Sequence, residues 1–412
     1  MMSGLSIAGY FPFARVKVVS QNIHLDAQPP AALIRLEPDL RCRPVCRTCQ
    51  AKGSVHTKGL RRTVRDLNVG PAQTFLQVEY RRVWCAQCGK AHTEALDFLD
   101  PHKRVTRRLA RYIYELCKKM TVQAVAEHLD LDPKTVKAID KHFLNEEFGT
   151  TDCQGLRILA IDEIALRKGQ GGYMTVVLDY QSGRVVWMGE GHNKDTLDAF
   201  FAEMTDEQKQ AIEAVAVDMW EAYINRIRHH CPDAKIVFDL FHLVKGFGEV
   251  IDEIRREEVR KATTAEERKY IKGSRYLLLK NRSNLRPDQR ARLRDLLAVN
   301  ERLSAVYQLK DQLKMLYQYR RRGWAKKAID QWCAMAEEID HPLMRRFIGC
   351  LRFFEYGILN HCDYPIGTSP LEGVNNKIKV IKRQAYGFHD PQYFALKVKQ
   401  ALPGRTTTTK TG

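Results

Sequence analysis

Two pairs of cysteines constrain the fold of this 412-residue chain more than any other feature of its sequence. Each pair has the spacing C-x-x-C, with Cys46 and Cys49 in the first pair and Cys85 and Cys88 in the second. A C-x-x-C turn points two thiolates at one ion, and two such turns complete the tetrahedral shell of a structural Zn²⁺. The alternating segment that begins at Thr74 runs directly into the second pair. We therefore predict a zinc ribbon over residues 1–100, in which a hairpin brings the two pairs together.

Neighbouring side chains offer alternative ligands, and the thiols have alternative uses. Cys42, His56 and His92 lie near the two pairs in the sequence and are possible substitutes, while free thiols or a redox pair would need no metal. The chain has 11 cysteines and its first residues lack the order of a secretory signal, so we do not expect a disulfide scaffold. No segment approaches the ~18 apolar residues that a transmembrane helix requires.

The net charge of +18 is unevenly distributed along the chain. Residues 1–150 and 251–412 carry +9 and +15, whereas residues 151–250 carry −6. A basic surface attracts a polyanion and gains free energy by releasing its counterions, so nucleic acid is the expected partner. An acidic stretch within a basic chain needs its own explanation, and binding of divalent metal ions is the one that we favour.

Residues 101–150 are predicted to form a helix-turn-helix. Thr121 stands at the N-cap of a short helix, and Asp132 followed by proline begins the next one. Ala126 is small enough for close contact between the helices, while Asp130 stands where the usual turn glycine is found. An ordinary helical hairpin has a similar pattern, but the adjacent zinc ribbon and basic flank favour a DNA-binding unit. The side chains expected to face DNA are Lys134, Thr135, Lys137 and Lys141.

Residues 151–242 have the pattern of an α/β domain. Five segments read as strands, with helical segments after the third and the fourth. Three strands in a meander, followed by helix-strand-helix-strand, predict a mixed sheet of the RNase H type. The predicted strands are residues 156–162, 173–179, 184–188, 214–218 and 234–239.

Two of these strands end in carboxylates. Asp162 closes the first strand and Asp218 closes the fourth, and in a mixed sheet of this order the two strands are neighbours. Both side chains can therefore point at one spot, where a third acid would complete a site for two Mg²⁺ ions. Such ions activate a hydroxyl nucleophile and stabilise the leaving oxygen of a phosphodiester. Glu372 is the best third acid because it opens a basic helix, and Asp179 and Asp195 are weaker substitutes.

An acid at the end of a strand can also serve only as a turn former or a helix cap. For Asp162 alone that reading would prevail, so the prediction depends on three acids in this order together with the basic helix. Glu163 follows Asp162 on the strand and is expected to point to the opposite face of the sheet.

The remainder of the chain is predicted to be helical. Residues 243–355 contain no strand pattern and form an all-helical insertion, and residues 356–400 form the last part of the core with the helix that begins near Glu372. Residues 401–412 are predicted to be a disordered tail. The helix after Glu372 carries side chains suited to phosphate contact, namely Asn375, Lys379, Lys382 and Arg383.

Four motifs resemble those of the DDE transposases of bacterial insertion sequences, and most closely those of the ISL3 family. The motifs are Ile161-Asp162-Glu163, Asp218-Met219 followed by Tyr223, Asp239-x-x-His242, and the run from Glu372 to Arg383 with Tyr386-Gly387-Phe388. The likeness extends roughly from Cys46 to Phe394 and includes the zinc module and the helix-turn-helix. It implies that Asp162, Asp218 and Glu372 form the catalytic triad and that the helical block is the insertion domain.

The resemblance also has implications for supporting residues and for assembly. Asp239 and His242 match the acid- or Cys-x-x-His signature that follows the second catalytic acid in related transposases, which implies a structural or supporting role. Leu240 departs from the Arg or Pro often found within that signature. At least a dimer, bridging two DNA ends, is expected.

The expected fold is multi-domain α+β, with a zinc ribbon, a helix-turn-helix and an RNase H-like α/β core interrupted by the helical insertion. The expected function is that of a DNA transposase that binds the terminal inverted repeats of an insertion sequence and catalyses metal-dependent strand cleavage and strand transfer. Its cofactors would be two Mg²⁺ or Mn²⁺ ions and a structural Zn²⁺, and it would act on double-stranded DNA in the bacterial cytoplasm, at the nucleoid and not at a membrane. The alternatives are a DNA-binding regulator with an inert core, against which the intact acids argue, and a nuclease that cuts without joining.

Overall fold

The structure is a computed structural model that describes residues 7–100, 103–166, 172–366, 369–385 and 387–405, with only the backbone of Ser369. Tyr386 of the resemblance motif and residues 406–412 of the expected tail lie outside the described residues. The chain divides into two compact units, residues 1–143 and 144–412.

A five-stranded sheet forms most of the first unit. Its strands are β1 Val16–His24, β2 Ala31–Pro38, β3 Ser54–Val69, β4 Ala72–Cys85 and β5 Lys90–Thr93, preceded by a 3-10 turn at Ala8–Tyr10. They lie in the order β1-β2-β4-β3, with β5 paired to β4. β2 and β4 are parallel, and the other pairs are antiparallel. The segment predicted to form a zinc ribbon is thus part of a larger sheet. The extra pairing joins β2 to β4, about forty residues away, and no local sequence pattern indicates it.

Three helices follow this sheet: α1 Arg107–Cys117, α2 Val122–Leu129 and α3 Pro133–Phe148. The Thr121 side chain accepts a hydrogen bond from the backbone N–H of Ala124, so it caps α2 as predicted. Asp132 accepts from the backbone N–H groups of Lys134 and Thr135 and caps α3 in the same way. Asp130, between α2 and α3, has the left-handed conformation (φ 51°) that a turn glycine would adopt readily.

The second unit contains another five-stranded sheet, in the order β10-β9-β6-β7-β8. Its strands are β6 Ile158–Ala165, β7 Tyr173–Asp179, β8 Val185–Glu190, β9 Ala214–Val217 and β10 Lys235–Phe238. All five correspond to predicted strands. β10, β9 and β6 are parallel, whereas β7 and β8 continue the sheet from β6 as an antiparallel meander. The helices α4 Lys194–Ala202, α5 Asp206–Gln210 and α6 Glu221–His230 connect its strands.

After β10 the described residues form only helices and connecting segments. The first is α7 Leu240–Lys261, and the others are α8 Ala265–Lys272, α9 Arg275–Leu279, α10 Pro287–Val299, α11 Glu301–Met315, α12 Arg322–Glu337, α13 Pro342–Phe353, α14 Glu355–Asn360, α15 Ser369–Gln384 and α16 Pro391–Ala401, with 3-10 turns at Arg282–Asn284 and Leu316–Gln318. Helices α7 to α14 have their own core, in which Phe247 packs edge-on against Trp332. This block meets the sheet at β10, where the Tyr317 hydroxyl donates to the carbonyl of Phe238 (2.9 Å) and Asn360 donates to that of Ile236 (2.8 Å).

Helices cover both faces of the second sheet. Phe200 of α4 and Ile224 of α6 are buried with Leu159 on one face. Ile378 of α15 and Phe394 of α16 are buried with the small and β-branched side chains of the other face. Because α15 lies on the sheet beside β6, a segment more than two hundred residues later in the chain contacts that strand.

The structure describes the chain past residue 401, where the disordered tail was predicted to begin. Ala401 ends α16, the Leu402 carbonyl accepts from the N–H of Val185 (3.1 Å), and the N–H of Arg405 donates to Ser182 (2.8 Å). These bonds hold residues 402–405 at the turn between β7 and β8. No helix within the described ranges is long and apolar enough to span a bilayer.

Candidate active site

Three aspartates lie in line where the parallel pairing of β6, β9 and β10 ends. Asp218 and Asp239 directly follow β9 and β10, whereas Asp162 does not close its strand as predicted, because antiparallel pairing with β7 continues β6 to Ala165. Ala160 of β6 pairs with Ala216 of β9, and Asp162 and Asp218 each lie two residues beyond that pair. Val217 pairs with Phe238, so Asp218 and Asp239 each follow directly after paired residues of β9 and β10. Ligands of sheets with parallel strands bind outside the carboxyl ends of those strands. The predicted adjacency of Asp162 and Asp218 thus follows from the observed strand order.

His242, in the first turn of α7, holds Asp218. Its Nδ1 lies 3.0 Å from Oδ2 of Asp218, while Oδ1 of the same carboxylate accepts from the N–H of Met219 at 2.6 Å. Burial acts to raise the pKa of Asp218, but the hydrogen bond and charge of His242 outweigh it and hold that pKa below its usual value. The same bond raises the pKa of His242 above its ordinary value.

Asp239 is the N-cap of α7 and accepts a hydrogen bond from the N–H of Phe241 at 2.6 Å. Burial raises the pKa of this carboxyl to about 6, and the negative charges of Asp162 and Asp218 act in the same direction. Asp239 and His242 are therefore both part of the carboxylate cluster, His242 through its bond and Asp239 through its position.

Asn375 connects α15 to Asp162 of β6. Its side-chain Nδ2 donates to Oδ2 of Asp162 at 2.5 Å, and its Oδ1 is buried with no hydrogen-bond partner among the described residues. Contact with DNA remains a prediction for Asn375, and the structure adds a bond from its amide to a carboxylate.

Glu372 lies one turn before Asn375 on α15 and is exposed. Within the described ranges, the four cysteine thiols are the only set of three or more Cys, His, Asp or Glu side chains whose ligand atoms all lie within 4.8 Å of one another. Asp162, Asp218 and Glu372 do not form such a set. Residues three apart share a face of a helix, so Glu372 is on the side of α15 that carries Asn375 towards β6.

Glu163 belongs to the other side of β6, as the strand pleat predicts. It pairs in register with Thr175 of β7, whose hydroxyl lies 2.7 Å from that of Tyr223. Burial raises the pKa of Glu163, and Tyr223 hydrogen-bonds the carboxyl. Glu163 thus has structural partners of its own.

The other residues predicted to bind DNA lie on α3 and α15. Lys134 and Thr135 are exposed near the start of α3, and Lys137 and Lys141 are half-buried further along the same helix. On α15, Lys379 and Arg383 are exposed, whereas Lys382 donates to the backbone carbonyl of Ala165 at 2.8 Å.

The four predicted zinc ligands form one cluster in the first unit. Cys46 Sγ lies 4.0 Å from that of Cys88, and Cys49 Sγ lies 3.3 Å from that of Cys85. Sulfurs of a tetrahedral shell with Zn–S bonds of about 2.3 Å are about 3.8 Å apart. The cluster therefore has the dimensions of a four-thiolate metal site. Cys42, His56 and His92 are not part of it.

A comparison with known proteins identifies the family to which the chain belongs. Residues 159–398, more than half of the chain, match the DDE family model of ISL3 transposases, and residues 94–144 match the helix-turn-helix domain of transposase family ISL3. The chain belongs to the ISL3 family of transposases. This ISL3 transposase is 42% identical over 363 residues to the transposase of insertion sequence element IS1001 from Bordetella parapertussis, a match that covers 87% of the chain and 89% of the relative.

A more distant relative matches over a similar length. The transposase of IS1557 from two strains of Mycobacterium tuberculosis is 28% identical over 408 residues, which cover 93% of the chain and 91% of the relative. The predicted family is thus confirmed, and with it the function of a transposase. Two contacts of this ISL3 transposase were not predicted: the His242–Asp218 and Asn375–Asp162 bonds. The Asp-x-x-His spacing was a signal for the first, whereas no local pattern indicates the second.

Proposed function

We propose that this ISL3 transposase cuts and joins DNA at the ends of its insertion sequence by a two-metal-ion reaction, with Asp162, Asp218 and Glu372 as the catalytic carboxylates. The observation that carries the proposal is the parallel pairing of β6 with β9, which supports a common site for Asp162 and Asp218 at one edge of the sheet. The strand order also supports an RNase H-like core, with α7 to α14 as its helical insertion.

The residues at this edge fit divalent cations. Oxygen ligands suit Mg²⁺ and Mn²⁺, and three aspartates aligned where the parallel pairing ends repel one another unless cations neutralise them. When bound, such ions would supply an activated hydroxyl nucleophile and stabilise the charge on the leaving oxygen of the phosphodiester. Glu372 would approach this edge as the last ligand when DNA and metal bind, since its helix already contacts Asp162 through Asn375.

The chain's own polar groups would hold these carboxylates in place. His242 fixes one oxygen of Asp218, and Asn375 fixes one oxygen of Asp162. Asp239 orders the first turn of α7 and thereby keeps His242 beside Asp218. Hydrogen-bond partners of this kind orient the side chains that bind a metal and tune their basicity.

The first unit would recognise the DNA ends. A Zn²⁺ ion held by Cys46, Cys49, Cys85 and Cys88 would stabilise the sheet, and α3 would present Lys134 and Thr135 to the major groove of a terminal repeat. Lys379 and Arg383 are exposed on α15 and would contact phosphates near the carboxylates. Joining two ends requires at least a dimer, which would act on the nucleoid in the bacterial cytoplasm.

The test is a cleavage and joining assay on the element's own end sequences, with Mg²⁺ or with EDTA. Asp162→Asn, Asp218→Asn and Glu372→Gln should each abolish cleavage and joining while leaving end binding within about twofold of the intact protein. Asp195→Asn, an exposed acid in the first turn of α4, is the matched control and should retain activity. Full activity of any triad variant would overturn its assignment. Cleavage without joining would favour a nuclease, and tight binding with no chemistry a regulator.

A further inference from the structure

A cleft of about 820 Å³ opens beside the carboxylate cluster, in the helical block. Helix α7 borders both: Asp239 and His242 belong to the carboxylate cluster, whereas Leu240, Phe241 and Lys245 line the cleft. Volumes of this size are typical of sites that take small organic molecules. The cleft therefore borders the helix turn that carries His242.

The part of the cleft next to His242 combines an aromatic ring with a cation. Phe241 is 58% exposed, and its ring centroid lies 5.4 Å from that of His242, the residue that holds Asp218. Lys245 is one turn further along α7 and lies on the same face as Phe241. Lys245 is exposed and lines the cleft, and its charge helps to lower the pKa of Asp218, so its ammonium group adds positive charge at this end of the cleft.

Most of the other charged groups that line the cleft are paired with polar neighbours. Asp252 accepts from Arg256 at 3.1 Å and from Arg275 at 3.2 Å, and Lys314 donates to Asn281 at 2.7 Å. Glu249 is an exposed acid of the lining, which as a whole carries five basic and three acidic side chains. The cleft therefore has an excess of positive charge, with Phe241 as its exposed aromatic ring.

We propose that this cleft holds an unpaired nucleotide of the DNA strand beside the scissile phosphate, with its base stacked on Phe241 and its phosphate near Lys245. The proposal rests on the proposed function. Aromatic side chains stack bases of any sequence, and a lysine beside them neutralises the connecting phosphate. A base within a duplex has both faces covered by its neighbours, so only an unpaired base can reach the ring. Strand cleavage at the element's end would bring such a nucleotide to the part of the cleft next to His242.

The experiment is a double-mutant cycle between protein and DNA. The end substrate carries an abasic site at each position in turn within three nucleotides of the cleavage point, and cleavage is measured with the intact protein and with Phe241→Ala. We expect Phe241→Ala to slow cleavage of normal DNA about tenfold, as loss of one stacked base would. At the abasic position that removes the stacked base, Phe241→Ala should slow cleavage no further. Phe241→Trp should retain the intact rate, and Phe353→Ala, another exposed phenylalanine of the block, is the control.

A second readout does not depend on chemistry. With 2-aminopurine at the sensitive position, binding of the intact protein should raise the fluorescence as the base leaves the duplex stack, and Phe241→Ala should reduce that rise. An unchanged cleavage rate or an unchanged signal with Phe241→Ala would overturn the proposal. So would a Phe241→Ala effect seen only as weaker self-association, which would indicate that a second copy of the chain fills the cleft. Absence of cleavage by the intact protein would count against the proposed function, while the fluorescence would still decide the proposal.

Discussion

Asn375 and Asp162 are 213 positions apart in the sequence, yet their side chains are joined by a hydrogen bond of 2.5 Å. The bond uses the Nδ2 donor of the amide and leaves its Oδ1 buried without a partner among the described residues. An unpaired buried oxygen is costly. It is therefore positioned to accept a hydrogen bond from water or to contact a cation bound at Asp162.

Asn375→Ala is expected to weaken Mn²⁺ binding and metal-dependent cleavage by about 10- to 100-fold, because outer partners of metal ligands contribute that much. Isothermal titration of Mn²⁺ into the DNA-free protein gives the first quantity. Affinity for the DNA ends should stay unchanged. The control is Asn376→Ala, since Asn376 is the exposed neighbour on the same helix. A loss of end binding with normal Mn²⁺ affinity would instead assign Asn375 to DNA contact.

Cys46→Ser is expected to remove zinc and to unfold the sheet of the first unit, because three ligands bind zinc much more weakly than four. Elemental analysis should find one zinc per intact chain and less than 0.2 per variant chain. Protease digestion should then cleave within residues 7–100 first. Cys42→Ser is the matched control and should keep its zinc, since Cys42 lies outside the thiol cluster. A zinc-free intact protein with disulfides at these positions would contradict the prediction.

Substitutions at Asp130 should separate backbone strain from side-chain contact. Its φ of 51° costs a residue with a Cβ roughly 1 kcal/mol, a cost that glycine avoids. Asp130→Gly also removes the bond that Gln73 donates to the carboxylate at 3.0 Å, so we expect its stability to stay within about 0.5 kcal/mol of the intact protein. Asp130→Ala, which loses the bond and keeps the strain, should lose about 1 kcal/mol. Thermal unfolding of the intact protein and the two variants measures these stabilities. Equal losses of stability in both variants would contradict the prediction.

Lys310 should make the helical block more stable as the pH rises above neutrality. Its ammonium donates to the carbonyls of Leu278 and Lys280 in a site where the residue is 1% exposed, and burial lowers its pKa to about 8. In the unfolded chain the pKa is about 10.4, so between these values the unfolded state binds more protons and unfolding becomes less favourable. The gain is on the order of 3 kcal/mol.

The measurement is urea unfolding of the intact protein and of Lys310→Met at pH 7, 8, 9 and 10, with reductant present. Lys310→Met cannot titrate at this position, so the difference between the two free energies should shift in favour of the intact protein as the pH rises. If the difference in unfolding free energy between the two proteins stays constant across this pH range, Lys310 keeps its ordinary pKa.

The alignment of Asp162 with Asp218 could be predicted because strand patterns and their order determine which strands are neighbours. Asp130 could be placed in the turn for a similar reason, since the capping residues around it define the two helices. The bond of Asn375 to Asp162 could not be predicted, because it depends on how α15 packs on β6. A polar residue in a basic helix looks the same in sequence whether it faces a phosphate or a carboxylate.

The first sheet shows a different limit. The strand from Thr74 was predictable from its alternation, whereas the parallel pairing of Leu33 with Phe75 joins distant segments and has no local sign. The exposure of Glu372 could not be predicted either. Its place on α15 follows from the sequence, but its exposure depends on how α15 packs against the sheet.

The bonds from Tyr317 and Asn360 to β10 have a consequence for the behaviour of the protein at high concentration. β10 is the outermost strand of its sheet, and an open strand edge is a template for pairing with another molecule. The two side chains occupy the carbonyls of Phe238 and Ile236 that such pairing would use. The helices that follow β10 thus protect its edge from pairing with other molecules. We expect a variant that lacks these helices to aggregate and precipitate rather than to remain a smaller active enzyme.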